Sequence, residues 1–463
     1  MRKQLLSLIL IISLGTESFA QVEITPSLHD AIQKAIEKSY TLKNKKLDID
    51  KINLQKKGVW NTYIPRIEAS ASYVYFDNEI TVDVPTTTIP FLNLQLFDGK
   101  RTFESNGNLF NASILAKSVL FSGLQIPNAA KALEQKIIGS NYLMEANKDD
   151  IIKEVITTFD QLSLLDQVEK LILDSEKRLD VESLRINKAI EQGLAVPYDR
   201  DKIKLASLEL QSKKIELHGK RQLVYKKITY LTGYTKEQTT QVQAPLEPYT
   251  ILNPETLTTE QKSELKALEA FGKAYEYLLK KEKGSYLPKV AAFGGYTYTS
   301  LFNSTITTPQ LPIINSPTRL SLNEATIAPN WILGVGLKWE IFSGFEREHK
   351  TTEAKINIES NANQLSDARE KLELLLEKNK VDYYTLNQKI EVGQQQKKVT
   401  ENNLTLAVKQ YKEGLINISE RLEAENDNYK AALNYISNLI EQRQAAIETI
   451  QTTGQLANYA IKN

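Results

Sequence analysis

The sequence contains no cysteine, and this absence removes several classes of chemistry. Disulfides, thiolate metal sites and a cysteine nucleophile are excluded, as is a lipid-modified cysteine at a processed N-terminus. Its three histidines, His29, His218 and His349, are scattered and have no partner at metal-ligand spacing. No glycine-rich phosphate loop follows a strand, and no Ser-His-Asp set can be assembled. The sequence therefore predicts no metal site, no cofactor and no enzymatic activity.

An excess of charge of one sign is also missing. The chain has 58 basic and 57 acidic residues and a formal charge of +1. A nucleic-acid partner would require a clustered basic surface, and none is visible, so no nucleic-acid binding is predicted. Later segments lack the run of about 20 apolar residues that a spanning helix needs. A membrane location would therefore require strands.

Residues 1–20 have the pattern of an export signal. Arg2 and Lys3 precede the apolar run Leu5–Leu14, and Ser18-Phe19-Ala20 forms a small-x-small cleavage site. The apolar run is half the length of a spanning helix. We expect cleavage before Gln21.

The rest of the chain contains the same landmarks twice. Pro65 and Pro288, in the stretches YIPR and YLPK, are 223 residues apart, and Leu42-Lys43 recurs as Leu265-Lys266 at the same spacing. The turns LFSG and IFSG, which end at Gly123 and Gly344, are 221 residues apart, as are Gly193 and Gly414. Four landmarks in one order at nearly one spacing indicate a tandem duplication. We expect a first repeat over 21–247 and a second over 248–463.

Each repeat predicts a helix, a strand pair and a long helical hairpin. The helices cover about 28–60 and 259–283, and proline ends each of them. The strand pairs cover about 66–121 and 289–342, with long polar loops at about Asp77–Asn108 and Phe302–Asn330. Between Pro127 and Gln192 the only helix-weakening residue is Gly139. An unbroken helix there would be roughly 100 Å long, which requires coiled-coil packing against neighbours.

The strands alternate apolar and polar residues. Ile67, Ala69 and Ala71 are predicted to share one face while Glu68, Ser70 and Ser72 take the other. Aromatic residues lie near the strand ends, a pattern typical of an outer-membrane barrel wall. The predicted lipid-facing positions are Tyr73, Tyr75, Phe110, Tyr296, Tyr298, Trp331, Val335 and Trp339. The same alternation also fits a half-buried strand of a soluble sheet.

Four strands cannot close a barrel, since small barrels need about eight. Open sheet edges are not tolerated in lipid, so other copies of the chain must complete the cylinder. Three chains would supply twelve strands around a wide lumen.

The duplicated Y-[IL]-P-[KR] junctions, the two FSG turns with their strands and the stretch Ala407–Leu433 together resemble the TolC family of outer-membrane efflux ducts. The resemblance covers essentially the whole chain after residue 20. It implies a mainly α fold with a β-barrel portion: a homotrimer with a shared twelve-stranded barrel in the outer membrane of a Gram-negative bacterium and a coiled-coil tunnel in the periplasm. It also implies docking to a periplasmic adaptor and an inner-membrane transporter, for efflux or type I secretion.

The resemblance further implies roles for residues near the helical hairpins. Gly193, Leu194, Gly414 and Leu415 match the tips that contact the adaptor. Glu420 and Glu423 match the acidic pair that rings the narrowest constriction, and Asp199 matches an acidic position that helps to hold the helices closed. The basic partner expected for that acid falls on Ile416, and the nearest cations are Arg200 and Arg421. Without the resemblance, Glu420 and Glu423 would be interpreted as a solvated helix face.

Two other classes of function remain open at this stage. A periplasmic coiled-coil adaptor would also have long hairpins, but it would lack two amphipathic strand pairs. An exported enzyme would need a catalytic set that the sequence does not offer.

Overall fold

The computed structural model describes residues 25–89, 91, 94–242, 244–310 and 316–457. The predicted export signal lies outside these residues. Within them the chain folds into helices and one antiparallel sheet, and these elements form two compact units. The elements, in chain order, are α1 (Pro26–Lys38), α2 (Tyr40–Trp60), β1 (Arg66–Ile89), β2 (Leu94–Phe121), α3 (Gln125–Glu191), α4 (Pro197–Thr232), α5 (Lys236–Gln241), α6 (Ser263–Lys283), β3 (Lys289–Thr307), β4 (Arg319–Lys338), α7 (Glu346–Lys412) and α8 (Ile418–Thr453).

The first unit is helical and is formed by 25–51, 136–272 and 360–457. Its core shows a seven-residue period near the hairpin turns: Leu165, Ile172, Leu179 and Ile186 are all buried on α3. Ile203, Leu210 and Leu217 repeat the period on α4. A seven-residue repeat of buried aliphatic side chains is the pattern of coiled-coil packing, which confirms the prediction for these helices.

The second unit contains 52–135 and 273–359, and all four strands lie in it. The sheet order is β1-β2-β3-β4, with every neighbouring pair antiparallel, so β2 of the first repeat pairs with β3 of the second. Strands β1 and β4 are the edges of this sheet within one chain. The fold class predicted from the sequence is confirmed.

Helices α3 and α7 each have 67 residues, as predicted from the scarcity of glycine and the absence of proline after Pro127 and within α7. Pro197 occupies the first turn of α4, where its missing N–H costs nothing. The first predicted helix is broken at Ser39, because Ser39 leaves the helical region with φ −52° and ψ 116°.

The prediction of long polar loops between the paired strands was wrong. Strand β1 continues to Ile89 and β2 begins at Leu94, so most of the first predicted loop is paired strand. Hydroxyl side chains meet across this extension, as between Thr81 and Thr102 at 3.0 Å. The second predicted loop is likewise paired up to Thr307 and again from Arg319. Threonine is favoured in strands although it is polar, which is why polarity alone did not distinguish a hairpin from a loop.

Both repeats turn from strand to helix in the same way. Gly123 and Leu124 have φ of 65° and 64°, and Gly344 and Phe345 have φ of 63° and 67°. Two consecutive left-handed residues at corresponding positions support the duplication inferred from the sequence. Within the described residues, no helix combines the length and the apolarity needed to cross a membrane.

Candidate functional site

The register of the sheet separates the strand residues into two faces. Ile67 is opposite Ala116, which is opposite Gly294, which is opposite Leu333. Ala69, Ile114, Tyr296 and Trp331 form the next row on the same face. All the lipid-facing positions predicted on strands share this face, and Trp339 follows directly after β4 with the same alternation. This surface, defined by these rows, is called the apolar face below.

Large side chains of the apolar face are exposed in the single chain. Trp331 is 75% exposed and Val335 is 68% exposed, and Leu333 is even more open to solvent. An exposed apolar surface that runs across four strands is unusual for a soluble monomer and marks an interaction with lipid or protein.

Aromatic rings lie at the end of the apolar face that is remote from the helices. Tyr296 and Trp331 have ring centroids 5.0 Å apart, and Phe110 and Tyr298 are 6.2 Å apart. The hydroxyl of Tyr73 donates a hydrogen bond of 2.6 Å to Asn108 Oδ1. Rings with a polar tip at the edge of an apolar band suit a water–membrane boundary.

Polar groups are paired with one another on the opposite face. The hydroxyls of Ser70 and Ser113 are 2.9 Å apart, and Asn111 Nδ2 donates to Thr299 Oγ1 at 2.9 Å. The two faces therefore differ in chemistry as the alternation in the sequence predicted. We call this second surface the polar face.

The hairpin turns of the helical unit have the same cap. Leu194 N donates to Ala189 O at 2.8 Å, and Leu415 N donates to Gln410 O at 2.9 Å. These bonds close the end of α3 and α7 around glycines with φ of 74° and 72°. The arrangement satisfies carbonyls that a helix end would leave open. Leu194 and Leu415 follow the glycines and are 77% and 73% exposed.

The predicted gate residues lie close to these turns. Glu420 is the third residue of α8 and closes a capping box: Asn417 N donates to Glu420 Oε2 at 2.9 Å, and Glu420 N donates to Asn417 Oδ1 at 3.1 Å. Glu423 is exposed one turn later. Glu420 therefore caps the start of α8. The spacing of three residues between Asn417 and Glu420 is that of a capping box, so the sequence could have predicted this role.

Asp199 is half-buried in the first turn of α4. Burial raises the pKa of the Tyr411 phenol, and the negative charges of Glu182 and Asp199 raise it further. Of the two nearest cations named from the sequence, Arg200 pairs with Asp201 at 3.1 Å. Arg421 points into the helical core and is only 1% exposed.

Sequence reasoning missed a charged section of the coiled-coil core next to the turns. Glu425 occupies a core position seven residues after Ile418 and is buried. Arg178 of α3 donates two hydrogen bonds to Glu425 Oε1, from Nη2 at 2.7 Å and from Nε at 3.0 Å. Arg421 Nη2 lies 3.4 Å from Glu425 Oε2. We call Arg178, Arg421 and Glu425 the core ion cluster.

Only some of the hydrogen-bonding groups in the core ion cluster have a partner. Arg421 Nε and Nη1 are buried without a hydrogen-bond partner in the described part of the chain. Glu182 is also buried on α3 and pairs with Arg185 at 3.2 Å. The heptad spacing could have flagged Glu425 as a charged core residue, whereas its pairing with Arg178 spans 247 residues and left no sequence signal.

No metal centre is formed by three or more His, Asp or Glu side chains in the described residues.

Three solved structures share this fold over nearly the whole chain. The outer membrane protein VceC from Vibrio cholerae has a TM-score of 0.68 at 13% identity, with 92% of this chain and 96% of that chain covered. The Campylobacter jejuni outer membrane channel CmeC has a TM-score of 0.69 at 14% identity, with 96% and 91% covered. The Neisseria gonorrhoeae outer membrane channel MtrE, in its open state, has a TM-score of 0.67 at 13% identity, with 94% and 90% covered.

The fold therefore defines a class: it is the architecture of TolC-like outer-membrane channels. The family of outer membrane efflux proteins matches residues 257–455, so the sequence of the second repeat carries the pattern of that family. Together the two findings confirm the resemblance to the TolC family. No curated protein matches the chain.

Proposed function

We propose that the chain is a passive outer-membrane efflux channel, formed by three copies that share one barrel. The main support for this proposal is the apolar face, which continues across all four strands of the sheet. The edge strands of this sheet, β1 and β4, have no further partner strand within the chain. Unpaired strand edges are not tolerated in hydrocarbon. In the proposed trimer, β1 of one copy pairs with β4 of the next, and twelve strands close the cylinder.

The length of the apolar face supports a membrane span. On β1 it runs from Ile67 to Tyr75, nine residues inclusive, which corresponds to about 30 Å of strand. A strand tilt near 40° reduces this to about 23 Å along the membrane normal, close to the apolar band of about 25 Å in outer-membrane barrels. Beyond Tyr75 the same face carries Asp77, Glu79 and Asp83, so the hairpin extensions belong outside the bilayer, at the cell exterior.

The hairpin turns are proposed as the adaptor contact. Leu194 and Leu415 are exposed directly after the capped ends of α3 and α7. They therefore offer an adaptor an apolar surface that needs no rearrangement before binding. A periplasmic adaptor and an inner-membrane transporter are the proposed partners, and efflux or type I secretion the proposed process. An adaptor function for this chain itself is disfavoured, because it does not account for the apolar face.

Glu420 and Glu423 are proposed to form the charged constriction, with Asp199 helping to hold the helices closed. Ile416 cannot supply the basic partner expected for Asp199. We propose that the core ion cluster replaces it, because Arg178 and Glu425 tie α3 to α8 within the same turn region. Carboxylates around a narrow axis favour cations over anions.

The channel function is tested by reconstituting the purified protein into a planar lipid bilayer. Discrete conductance steps are expected, and their absence at any protein concentration that inserts into the bilayer would contradict the proposal.

The gate assignment is tested with the double variant Glu420→Gln, Glu423→Gln. Glutamine can still close the capping box on Asn417, so the charge is removed without the loss of the helix cap. A reduced preference for cations is expected relative to the parent. Unchanged selectivity and resting conductance would remove the gate assignment and leave the channel function standing.

A further inference from the structure

Two pairs of cations lie at the helical end of the sheet, and within each pair the two residues are directly opposite each other on neighbouring strands. Arg66 of β1 is opposite Lys117 of β2, and Lys289 of β3 is opposite Lys338 of β4. The pairs correspond between the repeats: Arg66 and Lys289 each follow their proline directly, and Lys117 and Lys338 each lie six residues before the glycine of their FSG turn. We call these four residues the basic collar.

The basic collar lies entirely on the polar face. Lys117 is opposite Phe293, and Phe293 is on the same side of β3 as Lys289 because the two are four residues apart. All four side chains are exposed in the single chain.

Such pairs are unfavourable unless an anion accompanies them. Side chains directly opposite in an antiparallel pair have Cβ atoms about 5 Å apart, and like charges there are destabilising. Within the described residues, none of the four collar cations lies within 4.0 Å of a carboxylate, while nearby acids pair elsewhere: Glu346 with Lys350 at 2.5 Å and Glu282 with Lys281 at 2.7 Å. Glu68 and Glu340 are the acids two residues along the chain from collar cations, and they reduce the positive charge without pairing with it.

A cavity of about 500 Å³ adjoins the collar in the second repeat. Lys289 and Lys338 line it together with the further cations Lys281, Arg347 and Lys350, against the three acids Glu282, Glu340 and Glu346. Arg347 is buried and held in place, since Nε donates to Ser343 Oγ at 3.0 Å and Nη1 donates to Ser285 O at 3.2 Å. The cavity therefore keeps an excess of positive charge around the unpaired lysines.

We propose that the basic collar is an anion-attracting ring in the channel lumen and that the substrates passing this point are soluble anions bearing carboxylate, phosphate or sulfate groups. This inference rests on the proposed channel function, which places the polar face in the lumen. Four cations per chain become twelve in three copies, and rings of Lys and Arg side chains are the way in which pores favour anions. A charged lumen concentrates ions of the opposite sign before they pass. The collar and the acidic constriction thus act with opposite sign on permeating ions.

The test is the reversal potential of reconstituted channels in a potassium chloride gradient. One double variant combines Arg66→Gln with Lys117→Gln, and the other combines Lys289→Gln with Lys338→Gln. Each removes one cation pair and leaves the other, so either double variant is sufficient for the test. Both are expected to lower chloride permeability relative to potassium severalfold. Two single variants are compared with each other. Lys338→Gln removes one collar cation and is expected to shift the permeability ratio in the same direction. Lys100→Gln removes one exposed cation from the hairpin extension and is expected to leave the permeability ratio unchanged.

Inorganic pyrophosphate serves as a second probe. It is expected to reduce the current through the parent channel and to lose this effect in both double variants. Channels that open normally but keep the parental selectivity and pyrophosphate block would overturn the collar and leave the channel function intact. A parent protein that gives no conductance would overturn the channel function and the collar together. A shift as large in Lys100→Gln as in Lys338→Gln would show general surface charge and would also overturn the collar.

Discussion

Gly193 and Gly414, 221 residues apart, end their helices in the same left-handed conformation, with φ of 74° and 72°. An added Cβ at either position meets no atom within 4 Å. The two glycines are therefore required by backbone conformation and not by crowding.

Replacing Gly414 by alanine is expected to destabilise its hairpin by about 1 kcal/mol, since alanine is strained at positive φ. Gly219→Ala is the matched control, because Gly219 lies within α4 and its Cβ would also meet open space. Alanine there is expected to add up to about 1 kcal/mol of helix stability. Hydrogen exchange at the turn and in mid-helix measures both effects. Equal responses of the two sites would contradict the assigned cap.

These glycines also show what a single sequence can predict. Their fixed spacing was sufficient to reveal the duplication, and the resemblance to the TolC family then implied that both lie in hairpin turns. The alternation of Ile67, Ala69 and Ala71 was sufficient to place the strand faces. Both signals are local, and each occurs twice in the chain.

Other features depended on information that is not local. The hairpin extension beyond Asp77 was predicted as a loop because the segment is long, polar and rich in Thr, Pro and Asn. The salt bridge from Arg178 to Glu425 joins residues whose spacing in the chain has no periodic meaning. The basic collar needed the register of three strand pairs before its cations could be seen to face one another.

A charge on the apolar face is expected to prevent assembly. Val335→Asp places a carboxylate on this face at a cost on the order of 2 kcal/mol per chain in lipid. Gly336→Asp is the control on the polar face, where an added Cβ is 3.7 Å from Phe293. Heat-resistant oligomer on a gel is expected for Gly336→Asp and not for Val335→Asp. The reverse result would mean that the assignment of the two faces is inverted.

Loss of the shared carboxylate in the core ion cluster is expected to be costly. Glu425→Gln leaves Arg178 and Arg421 without a buried counter-charge, and the removal of one partner from a buried ion pair costs about 3–5 kcal/mol. Glu423→Gln, two residues away and exposed, is the control and is expected to be near neutral. The thermal unfolding midpoint of the detergent-solubilised proteins measures the difference. Similar midpoints for the two variants would show that the cluster contributes little to stability.

Asp149 predicts a pH dependence of stability. Burial raises the pKa of its carboxyl from 3.8 to about 6, with opposition from the nearby charge of Lys262, while Ala457 N donates to Oδ1 at 3.1 Å. The folded state therefore binds this proton more tightly than the unfolded chain does. Stability is expected to fall as the pH rises from about 4 to about 6.

Asp149→Asn removes this titration. The unfolding midpoint of the variant is expected to exceed that of the parent at about pH 7.5 and to match it near pH 3.5. Asp150→Asn is the matched control for the loss of a carboxylate at the neighbouring position, where Gln451 Nε2 donates a hydrogen bond to Asp150 Oδ1. A gain in Asp149→Asn that is the same at both pH values would exclude the raised pKa as its cause.

The central claim is that exposed side chains of four strands contact lipid and that other copies of the chain complete the barrel. The most direct test is the oligomeric mass of the purified, processed protein, measured by light scattering with and without detergent. The account predicts the mass of three chains in detergent and aggregation after detergent is removed. A single chain that stays monodisperse in buffer alone would contradict it.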